Sequence, residues 1–223
     1  MLYNPRLKQA FDAIDRSYAI IEFKTDGTIL NANQNFLNAM GYTLDEIKGR
    51  HHRMFVNEEY ANSEEYKEFW NRLKNGEYFV AEYQRFAKHG REVWIQASYN
   101  PIFNIFGKPS RVIKLATDIT ESKQKNSYYL GQIQAINKAQ AVIEFEVDGT
   151  IVNANQNFLN AVVYTLDEIK GKHHRMFVSE QYAKSAEYGN FWTRLKNGEY
   201  FCAEYQRFGK MVKKFGSALV ITR

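Results

Sequence analysis

The sequence predicts an α+β chain in which one domain occurs twice. Each copy is a five-stranded antiparallel sheet with short helices on one face, and the second copy is incomplete. Two observations carry this. Residues Ala19–Lys88 and Ala141–Lys210 align without a gap at an offset of 122, and 54 of the 70 positions are identical. Such a period exceeds the ~20–50 residues of solenoid repeats, so the repeating object is a whole domain. Within one copy, two short strands come first, then several short helices, then three further strands, the order of a single mostly antiparallel sheet.

The elements of the first copy follow from local signals. Leu7–Asp15 has the apolar spacing of a short helix. Ala19–Lys24 reads as a strand, and Asp26-Gly27 turns it into a second strand, Thr28–Ala32. Asn33–Met40 is a short helix. Thr43-Leu44-Asp45-Glu46 has Thr at the N-cap and Glu at the third helical position, a capping box. In Glu65–Lys74, Tyr66, Phe69, Trp70 and Leu73 share a face, and Asn75-Gly76 ends the helix. Glu77–Ala87, Arg91–Phe103 and Ser110–Asp118 are strand candidates, with Asn104–Pro109 as the turn between the last two. Glu121–Lys138 is a polar helix. The division is 1–120 for the first domain with its N-terminal helix, 121–140 for a helical linker and 141–223 for the truncated second domain.

Composition excludes several classes. Apolar residues make up 44% and charged residues 25%, as in soluble globular proteins. Gly and Pro total 16, too few for a collagen-like or linker-like chain. The single Cys202 excludes a disulfide framework and a cysteine-based metal site, and fits a reducing, cytoplasmic compartment. No run of 18 apolar residues exists, so no membrane span is expected. Of the net charge of +5, Lys213, Lys214 and Arg223 supply +3. Elsewhere bases and acids are mixed, so no nucleic-acid partner is expected. No phosphate-binding loop occurs, and Cys202 stands where the first copy has Val80, an apolar packing position. No catalytic residue and no metal site are expected.

The pieces DGTILNANQNFLNAMGYTLDEIKGRHHRMF, FWNRLKNGEYFVAEYQRFAKHGREVWIQASYNPIF and GKPSRVIKLATDIT, in that order and spacing, resemble a PAS domain. The likeness is to the tandem cytoplasmic PAS domains of bacterial methyl-accepting chemotaxis proteins of the aerotaxis and biofilm-dispersal types. It covers Phe11–Thr120 and the second copy through Lys210. The resemblance implies a non-enzymatic sensor module, with a ligand or cofactor held between sheet and helices, haem b or FAD among the candidates, reporting a small ligand, oxygen or redox state. It also implies a homodimer, chemotaxis signalling proteins reached through downstream helices, and a last strand beside the first. Asp118-Ile119-Thr120 would couple that strand to the outgoing helix. The alternative is a cofactor-free dimerisation or protein-interaction relay.

The candidate pocket residues of the first copy are His51, His52, Asn33, Trp70, Tyr83 and Trp94. Those of the second are His173, His174, Asn155, Trp192 and Tyr205. A neutral imidazole can ligate haem iron or hydrogen-bond a flavin, or it can fix a loop through the backbone. Adjacent histidines point apart and suit zinc poorly. The helix tryptophan lines the pocket in flavin-type aerotaxis PAS domains, yet its apolar face equally suits a core. Asn33 and Asn155 can cap a helix or meet a ligand edge. Tyr83 and Tyr205 alternate with polar neighbours along a strand.

After Lys210 the likeness stops. Met211–Arg223 reads MVKKFGSALVITR where the first copy has HGREVWIQASYNP. One choice of codons for Lys210–Arg223, read two bases later, gives NGKEVWIRASYNP, which matches the first copy at 10 of 13 positions. The Met-Val junction forces the glycine. A frameshift in the gene or its assembly is the expectation, and the nucleotide sequence decides it. The counterpart of Thr120 would fall at position 242, 19 residues past Arg223. The second sheet should therefore show a gap where the last strand belongs, with Leu219-Val220-Ile221-Thr222 as a substitute strand.

Overall fold

Side-chain caps define the helices of this computed structural model, which describes residues 5–199, 201–210 and 214–221, the last segment and 201–207 by backbone alone. Two units form, Met1–Ser127 and Tyr128–Arg223. In the first unit, helix α1 (Pro5–Ser17) leads into β1 (Ala19–Lys24) and β2 (Ile29–Ala32). Short helices α2 (Gln34–Met40), α3 (Leu44–Ile47) and α4 (Glu58–Ala61) precede the longer α5 (Glu64–Lys74). Strands β3 (Phe79–Phe86), β4 (Glu92–Phe103) and β5 (Pro109–Asp118) close the sheet, and α6 (Thr120–Ala139) follows directly.

The caps are those the sequence announces. Asn33 Oδ1 accepts from Phe36 N–H at the start of α2, and Thr43 with Glu46 makes the capping box of α3. Ser63 caps α5 one residue earlier than the apolar pattern suggests. The Asp26-Gly27 turn closes with Lys24 N–H donating to Thr28 O at 2.8 Å, and Gly27 takes φ +87°.

The sheet order is β2-β1-β5-β4-β3, all neighbours antiparallel, so the expected five-stranded sheet is present. Its central strand is the last in sequence, and β5 pairs β1 from Ala19↔Ala116 to Lys24↔Arg111. Alternation sets the faces: Val93, Ile95, Ala97 and Tyr99 of β4 and Val112, Lys114 and Ala116 of β5 are buried. Ile21, Phe23, Phe55, Phe69 and Leu73 pack in the same core, under the helices.

In the second unit, β6 (Ile143–Phe145), β7 (Ile151–Ala154), α7 (Gln156–Val162), α8 (Leu166–Ile169), α9 (Glu180–Ala183) and α10 (Ala186–Lys196) repeat the first half. Strands β8 (Phe201–Phe208) and β9 (Lys214–Ile221) follow. β9 pairs β8 from Phe201↔Ile221 to Phe208↔Lys214, the register of β3 with β4 shifted by 122. The divergent tail thus takes the place of β4. Leu219–Ile221 therefore does not substitute for the last strand, since it belongs to the strand in β4's place, and Thr222 lies outside the described residues. Among the described residues nothing stands in for β5, and the strands form two separate pairs, β6-β7 and β8-β9. That is the gap the sequence predicts.

One residue tests the local physics of the duplication. Helix α2 ends at Gly41 with φ +70°, and its counterpart after α7 is Val163 with φ +61°. A β-branched side chain in the left-handed region costs roughly 1–2 kcal/mol. Gly41→Val should therefore destabilise the first unit by about 1 kcal/mol or more in urea unfolding. An unchanged midpoint would show that the cap conformation is not held.

Candidate functional site

The His51-His52 pair is placed by the β1–β2 hairpin. Thr28 bridges His51, Ile29 N–H donates to Arg50 O, and His52 N–H donates to Gly27 O at 2.9 Å. His51 caps the 3₁₀ turn His52–Phe55 by accepting Arg53 N–H on Nδ1 at 3.1 Å. That fixes its tautomer: Nε2 carries the proton and donates to Asp26 O at 2.7 Å. The ring lies so close to Gly27 that a Cβ there would sit 2.7 Å from His51 Nε2 and 2.9 Å from the Trp70 indole. The second unit repeats the arrangement at Gly149, His173 and Trp192.

His52 turns the other way, into the core, and is fully buried. Nδ1 meets Tyr66 Oη at 2.8 Å and Nε2 meets Tyr99 Oη at 3.0 Å. A neutral imidazole has one donor and one acceptor nitrogen, so the two phenols satisfy both. Aromatic rings surround it: Tyr66 is stacked at 5.8 Å, and Phe23, Trp70 and Tyr99 meet it edge-on at 5.4–5.7 Å. Burial, reinforced by the Arg85 and Lys114 charges, holds the imidazole pKa well below its usual 6.5.

The chain of contacts continues to two buried cations. Arg85 Nη2 donates to Tyr99 Oη at 3.1 Å, and its guanidinium lies 4.6 Å from the Tyr83 ring centre. The Lys114 ammonium sits 5.0 Å from the Tyr99 ring centre. Burial lowers the lysine to about 8. At Tyr99, burial pushes the phenol up, but the two cations outweigh it and the net shift is downward.

Of the sequence candidates, His51, His52 and Trp70 come together, with Tyr83 joined to them through Tyr99. Asn33 lies elsewhere: Oδ1 accepts from Ile20 N–H and Phe36 N–H, and Nδ2 donates to Tyr18 O at 2.8 Å, so it ties α1 to α2. Asn155 does the same with Val142, Phe158 and Gln140. Trp94 sits on the opposite face of β4 from Val93, Ile95 and Tyr99, beneath Lys123 of α6 at 5.1 Å. His174 is buried against Tyr188, whose Oη lies 2.9 Å from Nδ1, and beside Trp192. The residue in register with Tyr99 is Ile221, which has no hydroxyl. The Tyr205 side chain lies outside the described residues.

Tyr66, Tyr99, Arg85 and Lys114 were not among the candidates. The alternation that singles out Tyr83 also puts Arg85 on its face. An open groove of about 500 Å³ lies outside the cluster, walled by His51, Tyr66 and Trp70 and rimmed by Arg53, Lys67 and Lys74. Haem does not fit the histidines of the first unit as they stand. Iron needs a free imidazole lone pair, and both nitrogens of His51 and of His52 are engaged. Phe23, His52, Phe69, Trp70 and Tyr99 stand there in mutual ring contact.

Two outcomes follow. Gly27→Ala, strained at φ +87° and in collision with two rings, should cost about 3 kcal/mol in denaturant unfolding of the first unit. A loss below ~1 kcal/mol would mean the ring packing is loose. Because the folded pKa of His52 is depressed, the unfolded chain binds the extra proton below pH 6.5. Stability is thus full above that pH and falls as pH drops, by up to ~1.4 kcal/mol per pH unit. Urea midpoints of the wild type should fall in that window, and His52→Gln should flatten the slope.

Residues 29–116 match the PAS fold model and residues 140–209 match a PAS domain model. The biofilm dispersion protein BdlA of Pseudomonas aeruginosa is 38% identical over 195 residues, 87% of this chain and 47% of that protein. The aerotaxis receptor of Escherichia coli is 28% identical over 95 residues, 43% of this chain and 18% of the receptor. This chain thus spans less than half the length of either relative. A solved PAS domain from Colwellia psychrerythraea covers 52% of the chain and 98% of its own length at 22% identity and a TM-score of 0.47. With both matches together spanning more than half of the sequence, this chain belongs to the PAS family and carries two PAS domains in tandem.

Proposed function

We propose that this chain is the non-catalytic input region of a chemoreceptor-type signalling protein, in which a small ligand of the first unit alters α6. The observation that carries this is the path of β5. It presents Lys114 and Ala116 to the core and runs through Asp118-Ile119-Thr120 straight into α6. Trp94 N–H donates to Thr120 Oγ1 at 2.9 Å, Ile119 N–H to Trp94 O at 2.8 Å and Thr120 N–H to Asp118 Oδ1 at 2.8 Å. Lys123 of α6 pairs with Glu82 of β3 at 2.5 Å and covers the Trp94 ring. A change in the core that moves β5 or β4 is thereby mechanically continuous with the helix.

The names of the relatives, an aerotaxis receptor and a biofilm dispersion protein, support a chemosensory setting. Cytoplasmic placement, signalling through chemotaxis proteins and a homodimer belong to the same reading. Exposed Leu7, Phe11 and Ile14 on α1 favour the dimer. With the histidine nitrogens engaged and the rings in mutual contact, the occupant in this reading is a small molecule without a visible chromophore. Among the described residues, no helix is long and apolar enough to cross a membrane.

Two measurements check the reading. The purified chain should show neither a Soret band nor flavin absorption, and either would overturn the choice of occupant. Any compound that raises the melting temperature of the first unit should change hydrogen exchange over residues 120–127. Thr120→Val should abolish that change while leaving affinity intact. Saturating ligand with unaltered α6 exchange would contradict the sensor reading.

A further inference from the structure

The core of the first unit holds an unbalanced charge. Arg85 is 3% exposed and Lys114 is 1% exposed. No carboxylate pairs with either among the described residues. Arg85 Nη1 is spent on the Gln84 carbonyl at 2.8 Å and Nη2 on Tyr99 Oη, while the buried Nε–H has no partner. The Lys114 ammonium lies 5.0 Å from the Tyr99 ring centre and 5.8 Å from that of Phe36, and its one polar neighbour is the Tyr99 phenol, not a carboxylate. Charges taken out of water stay buried when paired and hydrogen-bonded, and ring faces with one phenol do not supply an anion.

We propose that the first unit binds a small organic carboxylate at Arg85 and Lys114. The two positive groups converge on Tyr99, so one carboxylate can accept from the free Arg85 Nε–H and from the ammonium. The Tyr83 ring against Arg85 suits an apolar body behind the carboxylate better than a fully hydrated phosphate. The edge strand is the side from which a ligand would enter. On the inner face of β3, Phe79 and Tyr83 are half-buried and Ala81 is exposed. The second unit has Ile221 in register with Tyr99, so the stoichiometry is one per chain. The inference rests on the sensor reading only in naming the class of its ligand.

The test is calorimetric titration of the full chain in a chloride-free zwitterionic buffer. Sodium acetate, acetamide, sodium chloride and sodium phosphate are the probes. Acetate should saturate one site per chain, and acetamide, its neutral analogue, should not bind. Arg85→Gln and Lys114→Met should each weaken acetate at least ~10-fold, as expected for losing one charge-assisted contact. Arg207→Gln, the second-unit equivalent, should change nothing. The wild-type comparison decides the matter if the variants do not fold. Acetate binding no better than acetamide overturns the proposal, and so does a site filled by chloride or phosphate in preference. Tyrosinate absorbance at neutral pH that Tyr99→Phe removes overturns it as well, because the counter-anion is then internal. Acetate that binds but leaves α6 exchange unaltered sinks the sensor reading and not this one. Absence of acetate binding sinks this one and leaves a neutral ligand open to the sensor.

Discussion

The first unit is organised around an imidazole that must stay neutral. His52 is fully buried, and its two nitrogens are completed by phenols from α5 and β4. Each phenol is in turn fixed by packing: Tyr66 stacks on the ring and Tyr99 stands between His52 and the two cations. A proton on His52 would add a third positive charge to a site that already holds two. The energetic penalty for charging it is therefore shared by the hairpin, the 3₁₀ turn, α5 and three strands.

The same contacts explain why the last strand in sequence matters most. β5 sits between β1 and β4 and brings Lys114 under the aromatic cluster. Its next residues form the start of α6. Core and outgoing helix are thus one continuous segment of chain. In the second unit, the hairpin, the histidine pair and the helix tryptophan recur, but the strand pairs are not joined among the described residues. The duplication preserved the local half of the design, whose stability is written in caps and turns. The half that depends on long-range pairing is the half that differs.

That division also governs what the sequence made legible. The repeat, the hairpin at Asp26-Gly27, the capping box at Thr43 and the face of α5 are local signals, and the structure contains them all. The resemblance supplied the strand order, since alternation alone cannot say that β5 lies beside β1. Among site residues, the histidine pair was visible as a motif. Arg85 and Lys114 were not, because a basic residue on a strand ordinarily faces water. Trp94 shows the converse. Its place between Val93 and Ile95 puts it on the outer face, a reading available from alternation and obscured by the expectation that tryptophans line pockets.

The central claim is that His52 is a neutral, singly tautomeric imidazole locked between Tyr66 and Tyr99. Nitrogen-15 NMR of the histidine side chains tests it directly. The account predicts one ring with a fixed neutral pattern and a slowly exchanging ring N–H, unchanged on acidification through pH 6.5 until the unit unfolds. A His52 ring that titrates near 6.5 in the folded protein, or that averages between tautomers, would contradict it.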